Sequence, residues 1–159
     1  MKKMRKLSCL VMAMAILLIG CGKEMVSIET FTETMEAAGL SVTEGFSEEE
    51  VEDAEKSGIL DVAIAWVDGA YQLEFYVCEN EASANYVYSS TRADMENIYE
   101  TISSAKSASS SQIGNYSKYA ISVDGSYYVI IKVENTVLYA TSSSGDKDVV
   151  NDLISSLGY

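Results

Sequence analysis

Few side chains in this sequence could carry out catalysis. It has no histidine, which excludes imidazole general-base chemistry, Ser-His and Cys-His nucleophiles and the usual zinc sites. Among the groups that remain are 24 carboxylates, 11 tyrosines and three cysteines. Neither G-x-G-x-x-G nor G-x-x-x-x-G-K-[ST] occurs, so a nucleotide cofactor has no support. We therefore predict no catalytic residue, no metal ligand and no cofactor.

The carboxylates are densest between residues 48 and 53, with the sequence EEEVED. Two carboxylates can act as acid and base in a glycosidase, but only in a concave apolar site that tunes their pKa. A run of this kind is more typical of a solvated surface, and nothing matches the calcium-loop pattern D-x-[DN]-x-[DN]-G. A small cell-wall or glycan-acting hydrolase using carboxylates is retained as an alternative function.

The first 21 residues have the layout of a secretory signal. Positively charged MKKMRK is followed by the apolar run Leu7–Ile19, which is shorter than the roughly 20 residues that a membrane span needs. The run ends in Leu18-Ile19-Gly20-Cys21, which resembles the lipobox of bacterial lipoproteins. The resemblance implies that residues 1–20 are a cleaved signal peptide and that Cys21 carries a diacylglycerol. It also implies an anchor in the cell membrane, facing its extracytoplasmic side.

The chain beyond the signal is strongly acidic. Four of the 11 basic residues lie in the signal and all 24 acidic residues follow it, which leaves seven basic side chains and a net charge of −17. Such a surface has no basic patch to neutralise phosphates, so we expect no nucleic-acid partner. Cys78 is the one cysteine beyond Cys21, and its apolar neighbours predict a small buried hydrophobe rather than a nucleophile.

Apolar periodicity predicts the secondary structure of the remaining chain. Helical spacing occurs in Ser27–Ala38, after Asn80, and in Asp146–Leu157, and strand alternation flanks the Asp-Gly pairs at 68–69 and 124–125. A third strand is expected at Thr136–Thr141. The acidic segment 43–58 is interpreted as a loop that has room for one helical turn opened by Ser47, and Ser103–Ser111 as a second loop. Residues 27–159 are thus predicted to form a single α+β domain after a short tether, 21–26. It has two layers, a mostly antiparallel sheet of about five strands and helices on one face, in the order helix, two strands, helix, three strands, helix.

The two hairpins share the pattern VDG-small-Tyr, at 67–71 and 123–127. Diverged duplication and convergence on the same turn letters are both open interpretations. The alternating residues of the first hairpin are expected to form one buried face, namely Val62, Ile64, Trp66, Tyr71, Leu73, Phe75 and Val77.

Tyr76 and Tyr128 are out of phase with the apolar residues of their strands, which places them on the uncovered face of the predicted sheet. Amphipathic rings on a polar face suit a protein, peptide or glycan partner, although strand propensity alone also accounts for tyrosine there. The sequence thus favours a non-catalytic, membrane-tethered binding or interaction module that binds an envelope protein, peptide or glycan. A structural accessory subunit of a membrane complex is the third alternative.

Overall fold

The computed structural model describes residues 22–102 and 106–159, which contain one antiparallel sheet and four helices. The predicted signal peptide 1–20 and Cys21 lie outside these residues. The strands are β1 Ser41–Glu44, β2 Ile59–Val67, β3 Tyr71–Cys78, β4 Lys106–Ile113, β5 Tyr116–Val123, β6 Ser126–Val133 and β7 Thr136–Ser143. The helices are α1 Ile28–Ala37, α2 Val51–Ser57, α3 Glu81–Thr101 and α4 Lys147–Ser156.

The sheet has seven strands in the order β1-β2-β3-β7-β6-β5-β4. The prediction of about five strands is therefore wrong, because β1 and β4 have no apolar alternation that would reveal them. All eight residues of β4 are exposed, and the strand is held by pairing with β5. Such pairing is a tertiary interaction, so it overrides the local sequence preference.

Helices cover both faces of the sheet. On the side that we call face A, Phe31 of α1 and Ile154 of α4 share a buried cluster with Ile131 of β6. On the opposite side, face B, Met95 of α3 packs against the neighbouring residue Ile130. Successive strand residues point to opposite faces, so these clusters are two separate cores. The prediction of two layers with helices on one face is wrong, and the domain has three layers.

The hairpin registers explain this error. Val67 pairs with Tyr71 across a three-residue loop, which places Ile64 opposite Glu74 and Ala65 opposite Leu73. Directly paired residues share a face, so the set Val62, Ile64 and Trp66 lies on face B and the set Tyr71, Leu73, Phe75 and Val77 lies on face A. The prediction that all of them form one buried face is wrong.

The two VDG-small-Tyr segments form different turns. Val67 pairs with Tyr71 in the first, whereas Val123 pairs with Ser126 across two residues in the second. Asp124 and Gly125 both have positive φ, of 48° and 77°, as a tight two-residue hairpin requires. The unlike registers favour convergence over duplication.

The three predicted helices are confirmed, and two of them begin at a residue whose side chain caps the helix. Ser27 accepts a hydrogen bond from the backbone N–H of Thr30 at 3.1 Å, and Asn80 accepts one from Ser83 at 3.0 Å. The acidic segment interpreted as a loop contains the additional short helix α2.

Helix α1 is fixed to face A by a stacked pair of aromatic rings. The centroids of Phe31 and Phe75 are 5.0 Å apart with an interplanar angle of 12°, and both side chains are fully buried. This contact joins the first helix to the centre of β3, the strand whose other face carries the candidate site.

The segment that follows Cys21 lies directly against the domain. The backbone N–H of Lys23 donates to Asn115 Oδ1 at 2.9 Å, and Asn115 Nδ2 donates to the Lys23 carbonyl at 2.9 Å. The N–H of Val26 donates to the hydroxyl of Tyr159 at 3.1 Å. Residues 23–26 are therefore held close to the β4–β5 turn.

Candidate functional site

Face B has an open groove over β3, between α2 and α3. Gln72, Glu74 and Tyr76 alternate along the strand and form its floor. A hollow of about 410 Å³ lies on the α2 side and another of about 380 Å³ on the α3 side, and Glu74 and Tyr76 line both. We call these two adjoining hollows the β3 groove.

Glu74 is the fixed polar group at the centre of the groove. Gln72 Nε2 donates to Glu74 Oε1 at 2.7 Å, and the Tyr76 hydroxyl donates to Glu74 Oε2. An ionised carboxylate offers about four acceptor positions, so each oxygen can still accept a hydrogen bond from a ligand. The network orients the carboxylate without using up its capacity to bind.

The tyrosines around Glu74 remain protonated at neutral pH. Burial, followed by the negative charge of Glu74, raises the pKa of the Tyr76 hydroxyl well above its usual range. The same two causes raise the pKa of Tyr139 to about 12. Tyr139 lies on β7 and is the direct cross-strand partner of Glu74. Both phenols are therefore neutral at pH 7, and the Tyr76 hydroxyl donates to the carboxylate.

The walls of the groove add negative charge. Asp94 lies on the α3 side and Glu50 and Asp53 on the α2 side, and no Lys or Arg lines either hollow within residues 22–102 and 106–159. Glu50 also accepts hydrogen bonds from the Ser47 hydroxyl at 2.6 Å and the Ser47 N–H at 2.9 Å, and these bonds lower its pKa. A carboxyl with a lowered pKa is unsuited to act as a general acid at neutral pH.

A third and larger hollow of about 640 Å³ lies at the end of the sheet. Both Asp-Gly turns contribute to its lining, together with Trp66 and Tyr128 on face B. Gln72 lines this hollow and also the α2 side of the β3 groove, so the two spaces meet along β3. Trp66 Nε1 donates to Asp68 Oδ1 at 3.1 Å, which holds the indole ring over the first turn.

The two tyrosines singled out from the sequence are both half-buried on face B. Tyr76 lines the β3 groove and Tyr128 lines the end hollow, so the structure places them on one face but not in one pocket. The prediction that this face is uncovered is wrong, because α2 and α3 cover parts of it. Whether either ring binds a partner stays a prediction.

Sequence reasoning missed Gln72, Glu74 and Tyr139. A signal for the first two was available, because they occupy the same alternating positions as Tyr76 in a strand whose other positions are apolar. Polar residues in that phase indicate a face that is not fully packed. Tyr139 could not be linked to them, since its pairing with Glu74 depends on the β3–β7 register.

Cys78 is fully buried at the end of β3, which confirms its interpretation as a small core residue. Burial raises the pKa of its thiol to about 11, so the reactive thiolate is scarce at neutral pH. In the described ranges, no three Cys, Asp or Glu side chains lie close enough together to hold a metal ion. Nor does any helix there combine the length and apolar character needed to cross a bilayer.

Comparisons with known proteins leave the family open. No family model matches the sequence, and no curated protein matches it. A solved structure described as a GTP binding regulator from Thermotoga maritima is similar with a TM-score of 0.42 and 16% identity, covering 80% of this chain and 84% of that one. A likeness at this level carries no argument about the fold or the activity of this chain.

Proposed function

We propose that this chain is a bacterial lipoprotein, anchored on the extracytoplasmic side of the cell membrane by a lipid on Cys21, whose domain is a non-catalytic binding module. The lipobox Leu18-Ile19-Gly20-Cys21 supports the anchor. The observation that carries the binding function is Glu74, held between Gln72 and Tyr76 in a groove that no basic residue of the described chain lines.

The anchor gives the domain an orientation. Lys23 is two residues beyond Cys21 and is bonded to Asn115 in the β4–β5 turn, so this turn lies next to the membrane. The strand pairings place the β2–β3 and β5–β6 turns at the opposite end of the sheet. The end hollow thus faces away from the membrane, and the β3 groove runs from it along the domain.

The occupant that we propose for the β3 groove is a basic peptide segment of an envelope protein. The carboxylate of Glu74 can accept charge-assisted hydrogen bonds from a Lys or Arg side chain. Tyr86 on the α3 rim, which is 63% exposed, offers an aromatic face to the same cation. The net charge of −17 attracts such a partner over a longer range and speeds encounter.

Binding of basic peptides by the full chain tests this proposal. In a fluorescence polarisation assay, a pool of Lys- and Arg-rich octapeptides should bind the chain saturably, whereas a Glu-rich pool should not bind. Glu74→Gln keeps the shape of the side chain but removes its charge, so we expect affinity to fall about tenfold. Glu33→Gln is the matched control, because Glu33 is exposed on α1, which packs on face A.

Two results would contradict the binding function as proposed. Equal losses for Glu74→Gln and Glu33→Gln would mean that net charge alone attracts the peptides. Binding to a glycan array with release of reducing ends would instead support the hydrolase alternative, in which Glu74 and Asp94 line one hollow.

A further inference from the structure

Two lysines on the other side of the sheet share one pocket. Three of the seven basic side chains that follow Cys21 form ion pairs within the described chain, Lys56 with Glu52, Arg92 with Glu96 and Lys132 with Glu81. The other four have neutral partners there, and two of these four, Lys118 and Lys147, line a single pocket.

This pocket has a volume of about 310 Å³ and lies on face A, near the β4 edge. Lys118 on β5 forms part of its floor, and Lys147 and Asn151 on α4 form a wall. The floor also carries the hydroxyl groups of Ser107 and Ser122, which pair across β4 and β5. A pocket of this size can take a small molecule or one end of a larger one.

Asn151 positions the cationic groups. Its Oδ1 accepts hydrogen bonds from Lys118 Nζ at 3.4 Å and from the Tyr127 hydroxyl at 3.1 Å, and its Nδ2 donates to the Lys147 carbonyl at 2.9 Å. The ammonium of Lys147 lies over the Tyr127 ring, 5.2 Å from its centroid. The two lysines are therefore held towards one space by a shared set of neutral partners.

Within residues 22–102 and 106–159, no Asp or Glu side chain lines the pocket. All of the chain's Asp and Glu residues fall within residues 22–102 and 106–159, and none forms an ion pair with Lys118 or Lys147 there. Burial and then the charge of Lys147 lower the pKa of Lys118. Lys147 is the first residue of α4 and lies between Asp146 and Asp148, neither of which lines the pocket. An anion between the two ammonium groups would offset the repulsion between them.

We propose that this pocket binds the oxyanion group, phosphate or carboxylate, of a small anionic ligand between Lys118 and Lys147. The hydroxyls of the floor supply donors to its outer oxygens. This site lies on the opposite face of the sheet from the β3 groove, carries the opposite charge and does not depend on the function proposed for the groove.

Titration calorimetry of the full chain in Tris-chloride buffer, with inorganic phosphate and with acetate as probes, tests this proposal. At least one probe should bind saturably, and the stronger of the two identifies the oxyanion. Lys118→Gln and Lys147→Gln should each weaken that binding about tenfold, as expected for a lost charge-assisted hydrogen bond. Lys56→Gln, which changes the charge equally on an exposed helix, should leave it within about twofold.

Three results would overturn the site: no saturable binding of either probe, unchanged binding by both lysine variants, or an equal loss with Lys56→Gln. Thermal unfolding checks that each variant is folded. Lys118→Arg retains the positive charge of this half-buried side chain and should keep the affinity within a few-fold. That result would show that the weaker binding of Lys118→Gln comes from the lost charge and not from damage to β5.

Discussion

Phe75→Ala should lower the free energy of unfolding by about 3–5 kcal/mol, because it removes a fully buried aromatic side chain and leaves a cavity in the face A core. The total stability of a domain of this size is about 5–15 kcal/mol, so the variant should be marginal. Guanidinium unfolding followed by circular dichroism measures the change. Phe31→Ala in the same background should reveal a coupling of about 0.5–1.5 kcal/mol from the ring stack.

Phe46 provides a matched control for the same substitution. Its side chain is half-exposed at the α2 side of the β3 groove, so Phe46→Ala should cost about 1 kcal/mol or less. Similar losses for Phe46→Ala and Phe75→Ala would contradict the assignment of α1 and β3 to a shared core.

Stability should fall steeply as the pH rises above about 10. Burial raises the pKa values of Tyr127, Tyr139 and Tyr159 in the folded state, whereas unfolded tyrosine titrates near 10. The unfolded chain then binds fewer protons than the folded chain, so the stabilisation is complete below about pH 10 and is lost as the pH rises through the folded-state values. Tyr139, with a folded pKa of about 12, contributes to this loss.

Unfolding curves at pH 8, 9, 10, 11 and 12 measure this dependence. Tyr139→Phe removes one titrating group from the folded core and should make the decline between pH 10 and 12 shallower. A free energy of unfolding that is constant up to pH 12 would contradict the burial of these hydroxyl groups.

The sequence predicts those strands and helices whose own residues show apolar alternation or helical spacing. Alternation reveals β2, β3 and β5 to β7, and helical spacing reveals α1, α3 and α4. Strand β4, with the sequence KSASSSQI, has no such signal, because it gains its structure from pairing with β5. The coverage of both faces is hidden for another reason: alternation within each strand of the first hairpin does not show, without the register, that the two apolar sets point to opposite faces.

The residues of the candidate sites also fall into two groups, those that the sequence pattern indicates and those that only tertiary contacts bring together. Tyr76 was found from its phase within one strand, and Gln72 and Glu74 were accessible by the same argument. The pairing of Glu74 with Tyr139 needs the β3–β7 contact, which joins segments distant in the sequence. Lys118 and Lys147 lie on different elements and meet only because α4 packs across face A. Sequence periodicity contains no information about such tertiary contacts.

Photo-crosslinking on intact cells is the most direct test of a membrane-anchored module that binds through the β3 groove. A photoreactive phenylalanine analogue replaces Tyr86 on the groove rim or, as a control, Val149 on α4, which is 44% exposed. We expect one envelope protein to be captured through position 86 and not through position 149. Its captured peptide should be basic, and capture should be lost with Glu74→Gln and with Cys21→Ala. Identical adducts at both positions, or capture that is unaffected by Glu74→Gln, would contradict the proposed function.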